Sequence, residues 1–347
     1  MGDSPSFTQI SKRKDHDPMQ RRAFIGGSLV LAASPLLGKA LIASAQEATP
    51  GASPAAQPVP VLPATFTDGT GTEVTVTDVS AIIPLNGDLA EVVAALGFEQ
   101  NVVAVDVSAT YPASFTQLPS IGYQLALNAE AILSFSPTLV LGRVGFVQPM
   151  EVVDQIRAAG VPVAMIDIED NIETPAGKVR LVAEALGVKD AGEALATTIE
   201  GQIAEAEAAV ANVTEKPRVL FLLFRAEQGI QMVGGSDTPL DAILPAAGAI
   251  NAGAEAGVQG YQPLTAEAVV AAAPDIIILQ QHGFDSIGGE AGLLEIPGVA
   301  ETPAGQNKKF FGYDDQQLLG LGPRTGELLH QLIADFHPEL AAATPTA

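Results

Sequence analysis

Beyond about residue 78 the chain alternates short apolar runs with stretches whose apolar positions recur every three or four residues. Leu89, Val92, Val93 and Leu96 lie at helical spacing over Asp88 to Leu96, and Gly97 supplies the stop. Val102 to Val107 reads as a short β-branched strand. Asn128 caps a helix that Pro137 ends, and Leu139 to Leu141 begin the next strand. Gln148 to Ala159 is helical up to Gly160, and Val161 to Ile168 is again strand. Thr174 to Leu186 and Ala191 to about Val213 are rich in Ala, Glu and Leu, with no Pro beyond Pro175 at the start of the first. The second is a helix of roughly 20 residues, about 30 Å long at about 1.5 Å per residue. A second set follows: the strand Arg218 to Phe224, a helix from Pro239 behind Thr238, the strand Asp275 to Leu279 and a helix from about Thr325 to Phe336. Strands alternating with helices predict an α/β fold of mostly parallel sheets covered by helices.

One local pattern occurs twice, 138 residues apart. Gly122-Tyr123-Gln124 is followed by Asn128-Ala129-Glu130-Ala131, then Pro137 and an apolar run. Gly260-Tyr261-Gln262 is followed by Thr265-Ala266-Glu267-Ala268, then Pro274 and an apolar run. So long a period predicts two similar lobes rather than a short-repeat solenoid. The mid-chain helix is placed to join them as a stiff strut, with a ligand cleft between them and little hinge motion. The expected boundaries are a signal segment over 1–45, a Pro- and Ala-rich disordered tether over 46–72, an N-terminal lobe over 73–186, a linking helix over 187–215, a C-terminal lobe over 216–340 and a disordered tail over 341–347.

Charge narrows the function. A formal net charge of −23 with 17 basic residues argues against nucleic acid and anionic membrane surfaces as partners. The absence of cysteine excludes disulfides, thiolate metal sites, a cysteine nucleophile and a lipidated N-terminal cysteine. Arg21-Arg22-Ala23-Phe24-Ile25 resembles a twin-arginine signal, with Ala43-Ser44-Ala45 as cleavage site and Met19 as an alternative start. The other reading is an uncleaved anchor, which Lys39 and several glycines disfavour. An exported protein is expected, periplasmic or held at the cell surface by this segment.

The ordered set Leu118-Pro119-Ser120-Ile121-Gly122-Tyr123, Leu127-Asn128-Ala129-Glu130, Gly260 to Glu267 and Leu321-Gly322-Pro323-Arg324-Thr325 resembles the haem-binding branch of the substrate-binding proteins of ABC importers. These are helical-backbone periplasmic binding proteins related to cobalamin and ferric-siderophore binders. The resemblance covers roughly Asp78 to Phe336. It implies a monomer that captures ferric haem (haem b, as transported ligand) and delivers it to an ABC permease with its ATPase, without covalent chemistry. It implies Tyr123 as an axial ligand, since members commonly place a tyrosine there. A phenolate is a hard anionic donor suited to ferric iron. In some members a second residue comes from the other lobe: a tyrosine at the Tyr261 position, or a histidine after the strand that here ends at Phe224-Arg225. No histidine follows that strand, which favours Tyr261. Many members carry an arginine two residues after the first tyrosine, where this chain has Leu125.

Other candidates follow from position. Arg143 and Arg225 each end a strand, where crevices form, and a guanidinium suits the paired oxygens of a propionate. His282 follows the run Ile276 to Gln281 and is a candidate ligand. Phe146 and Phe284 are candidates to cover a porphyrin. Glu130 and Glu267 lie in the first turns of their helices, where a carboxylate suits the helix dipole; the resemblance implies that they dock on permease arginines. His330 and His337 are expected away from the cleft. The same scaffold carrying a ferric siderophore or cobalamin is the alternative. Gly320 to Gly326 lacks the spacing of a dinucleotide loop, and no sequence motif of hydrolase or metalloprotease chemistry is present.

Overall fold

The computed structural model describes residues 57–225 and 229–342. The signal segment expected over 1–45, the tether up to residue 56 and the tail from residue 343 lie outside them. The chain begins with a hairpin, β1 (Ala64–Thr67) and β2 (Glu73–Val76), paired antiparallel. Then come β3 (Ile82–Pro84), α1 (Gly87–Val93), α2 (Ala129–Leu133), β4 (Leu139–Arg143), α3 (Glu151–Ala158), β5 (Val163–Ile166) and α4 (Thr174–Ala185). Strands β3, β4 and β5 form a parallel sheet in that order. The single long helix α5 (Lys189–Val210) follows, with 22 residues.

The second half contains β6 (Arg218–Arg225), β7 (Ile230–Gly234), α6 (Pro239–Ala246), β8 (Ile250–Asn251), α7 (Ala252–Glu255), β9 (Tyr261–Pro263), α8 (Ala266–Ala272), β10 (Ile276–Gln280) and α9 (Gln281–Ser286). It ends with α10 (Gly289–Leu294), α11 (Pro303–Asn307), β11 (Phe310–Tyr313), α12 (Asp315–Gly320), α13 (Thr325–Phe336) and α14 (Pro338–Ala342). The sheet order is β11-β10-β6-β7-β9, with β8 beside β6. Strands β11, β10, β6 and β8 are parallel; β7 is reversed and pairs antiparallel with both β6 and β9.

The continuous apolar runs have a direct cause: both faces of each sheet are covered. Leu139 and Leu141 of β4 belong to one cluster and Val140 to another. Likewise Ile276 and Ile278 of β10 face one way, Ile277 and Leu279 the other. The largest cluster is shared by both lobes and includes Ala196, Ile199, Ile203 and Ala206 of α5. This helix packs on α4 in the first lobe and on α13 and α6 in the second. At about 1.5 Å per residue it is about 33 Å long and bridges them as a strut.

Two expectations are corrected. The hairpin starts at Ala64, inside the stretch assigned to the tether; Thr-rich alternation with Phe66, Val74 and Val76 gives it one inward face. Val102 to Val107 is not a strand: only Val102 and Val105 form isolated bridges, to Ile82 and Ser120.

The strut approaches α4 closely because Gly192 is bare. A Cβ there would lie 2.2 Å from that of Ala183. Gly192→Val gains under about 1 kcal/mol in helix propensity but overpacks the contact by about 1–3 kcal/mol. The net expected outcome is destabilisation, seen as a lower urea midpoint with an unchanged slope.

Candidate functional site

Loops leaving the carboxyl ends of strands in the two lobes approach one another. Thr110 and Tyr111 of the first lobe donate their backbone N–H groups to Gln316 Oε1 of the second, at 2.8 and 3.1 Å. Asp170, just beyond β5, is close enough to Tyr261 of β9 for its charge to affect the phenol. Loops at strand ends of this kind are where ligand crevices form in α/β lobes.

On the first lobe, backbone hydrogen bonds join three loops into one surface. Val107 N–H donates to Gly122 O at 3.0 Å, Gln148 N–H to Gln124 O at 2.9 Å, and Leu127 N–H to Gln148 O at 3.0 Å. These loops expose Val107, Tyr111, Tyr123, Leu125, Phe146 and Met150. Gly122 holds φ at +93°, a backbone setting that turns the chain into Tyr123, whose side chain is 49 % exposed. Among the described residues, the other exposed large apolar side chains are Val59 and Val61 near the start, and Val270 on α8.

The facing surface of the second lobe is more polar. Arg225 ends β6 and lies 3.7 Å from Asp315, both partly exposed. Exposed His282 donates its backbone N–H to the same carboxylate at 3.1 Å. Half-buried Phe284 lies near Gly312. Tyr261 opens β9, pairs with Gly234 and meets the Phe221 ring edge-on at 6.3 Å. Burial, then the Asp170 carboxylate, push its phenol up to about 12, while Arg225 works against both.

Arg143 occupies the predicted strand end, but its guanidinium is engaged. It pairs with Asp88 at 3.3 Å and Asp170 at 2.7 Å, and lies 4.2 Å over the Phe146 ring. Asp88 also pairs with fully buried Lys178 at 2.6 Å. Burial opposes ionisation of Asp88, yet Lys178 and Arg143 together hold its carboxyl below the usual range. Glu130 and Glu267 sit exposed in the first turns of α2 and α8, behind Asn128 and Thr265. Both caps form: Asn128 Oδ1 accepts from Ala131 N–H at 2.9 Å, and Thr265 Oγ1 from Ala268 N–H at 3.2 Å. His330 is exposed on α13, and His337 is buried against the Ala247 carbonyl.

The sequence pattern of periplasmic binding proteins matches residues 82–317. The chain belongs to the periplasmic binding protein family. Members of this family bind substrates for transport and are not enzymes. Among solved structures this periplasmic binding protein is similar to the haem-binding protein RhuT from Roseiflexus sp. RS-1 in its apo form, with 45% identity and a TM-score of 0.72. The match covers 76% of this chain and 100% of that one. Against BhuT, a periplasmic haem-binding protein solved with two haems, identity is 37% and the TM-score 0.68, covering 75% and 98%. An uncharacterised ABC transporter substrate-binding lipoprotein of Bacillus subtilis, YvrC, is 24% identical over 92% of this chain and 99% of its own.

Sequence reasoning missed the linked charges of this binding protein's first lobe, Asp88, Asp170 and Lys178, and the buried Asp106. Asp106 is 1 % exposed and receives hydrogen bonds from Ser108 Oγ and Ser108 N–H, while Ser108 Oγ accepts from Gly87 N–H. Burial raises its carboxyl to about 7; Ser108 opposes this, and Asp88 adds to it. A raised carboxyl pKa stabilises the fold fully below about pH 4, and that contribution is lost as pH rises through about 7. Asp106→Asn keeps a neutral acceptor for Ser108. Relative to wild type, the variant is expected to gain stability as pH rises from 4 to 8, on the order of 3 kcal/mol at the upper end. Urea midpoints at both pH values check this.

Proposed function

We propose that this chain captures ferric haem between its lobes and delivers it to an ABC permease and its ATPase. The observation that carries the reading is the joined apolar surface of the first lobe, with Tyr123 among its exposed side chains. A porphyrin offers a broad apolar face, a metal at its centre and carboxylates at one edge. The apolar loops suit the face, and a phenolate suits ferric iron. The cation's field lowers the phenol's pKa as the bond forms. Relatives described as haem-binding proteins, at 45% and 37% identity, support this choice of ligand.

Tyr261 approaches the other side from a more rigid seat. Its raised pKa makes the phenolate costlier to form, so Tyr123 is the primary ligand and Tyr261 the secondary one. Arg225, partly exposed at the rim, is the better placed propionate partner. Arg143 reaches a propionate only by giving up an existing pair, and it acts first as the support for Phe146. His282 lies at the rim and is a lesser candidate ligand. Glu130 and Glu267 project from capped helix starts into solvent, where they form a permease-docking pair that sets register and encounter rate.

Hemin titration followed by absorption spectroscopy tests the reading. Saturable binding with a tyrosinate-type ferric spectrum is expected, and Tyr123→Ala should weaken Kd by at least about tenfold and abolish that spectrum. Nonsaturating binding that ignores both Tyr123→Ala and Tyr261→Ala would move the ligand to a ferric siderophore or cobalamin.

A further inference from the structure

The segment Asp315 to Arg324 contains the Gly320-Leu321-Gly322-Pro323-Arg324 run that no ligand role absorbs. It belongs to the second lobe, yet its polar contacts reach the first at three places. Gln316, 8 % exposed, accepts from Thr110 N–H, Tyr111 N–H and Thr110 Oγ1. Its Nε2 donates to Gly87 O and Glu91 Oε2, each at 2.9 Å. Arg324 grips Glu91 with two bonds of 3.0 Å and lies 3.7 Å over the Tyr111 ring. Lys178 Nζ donates to the carbonyls of Gly320 and Leu321 at 2.7 and 3.2 Å.

Local backbone geometry serves these contacts. Leu321 is fully buried at φ +43°, a conformation costly for a branched side chain. That turn leaves the Gly320 and Leu321 carbonyls accepting from Lys178. At Gly322 a Cβ would stand 3.3 Å from Glu91 Oε1, so a bare backbone keeps room for the Arg324–Glu91 pair. A buried bidentate pair resists rearrangement, because removing either partner strands the other charge. The first-lobe end of the contact also leads to the ligand surface. Thr110 and Tyr111, held by Gln316, share a turn with Val107, whose N–H bonds the Gly122 carbonyl beside Tyr123.

We propose that residues 315–324 form an interlobe clasp, with Gln316 and Arg324 as positioning residues that fix the cleft width and the seat of Tyr123 relative to Tyr261. The strut joins the lobes at one place, and the clasp supplies the second fastening that stops them pivoting about it. The consequence for coordination rests on the haem reading; the mechanical role does not.

The chain contains no cysteine, so spin labels at Asp154→Cys and Val270→Cys, exposed on α3 and α8, report the lobe separation cleanly. In the ligand-free protein a narrow distance distribution is expected. Gln316→Ala and Arg324→Ala should broaden it while circular dichroism stays native. Both variants should also alter the ferric hemin spectrum and weaken Kd by about tenfold. If Arg324→Ala fails to fold, Gln316→Ala decides alone, since it leaves the Glu91–Arg324 pair intact. A distribution as narrow as the parent's in folded Gln316→Ala overturns the clasp. A broadened distribution with an unchanged hemin spectrum overturns its link to Tyr123. Failure of the parent to bind hemin refutes the haem reading, and the label distances still judge the clasp.

Discussion

Lys178 carries an ammonium into the interior, and the joint between the lobes is built around that charge. Burial pulls its pKa down, and Asp88 opposes the pull. An ion so placed is tolerated only with a counter-ion and filled hydrogen-bonding capacity. Here one partner comes from α1 and the rest are carbonyls of the other lobe. Asp88 in turn engages Arg143, which orients Asp170 and lies against Phe146. A single desolvated cation thus ties the support of Phe146 and Asp170 in the first lobe to the backbone of the second.

The loop surfaces of the two lobes differ in character. The first lobe offers apolar loops laced together by backbone hydrogen bonds, the second a strand-borne tyrosine with Arg225, Asp315 and His282 around it. Apolar contact supplies most of the attraction for a flat hydrophobic ligand, and polar groups fix its orientation. On the proposed haem reading, dividing these tasks between lobes would give a porphyrin one side that holds its face and another that reads its edge.

Much of the fold was legible because its signals are local. The helix expected over Thr325 to Phe336 is found at those bounds. The glycine before each repeated tyrosine has positive φ, and both predicted caps form. Failures have a common origin in distant partners. Arg143 looked available because Asp88 lies 55 residues earlier, and Gln316 looked unremarkable because Thr110 lies 206 residues away. Val102 to Val107 has strand composition, but its hydrogen bonds go to scattered partners, Ile82, Pro119 and Gly122, so that only Val102 and Val105 form isolated bridges and no ladder results.

The twin tyrosines are alike in sequence and unlike in mechanics. Tyr261 belongs to a sheet, hydrogen-bonded to β7 and braced by Phe221, whereas Tyr123 rides on a turn closed by the Ala126 N–H to Tyr123 O bond. A sheet resists displacement; a glycine-led turn yields at low cost. In the proposed complex the pair would act as a vice, one jaw built into a sheet and the other carried on a turn whose base the clasp holds. In that complex, small differences in ligand thickness would be taken up by local adjustment of the Tyr123 turn, while the clasp keeps the lobe spacing and Tyr261 keeps its register.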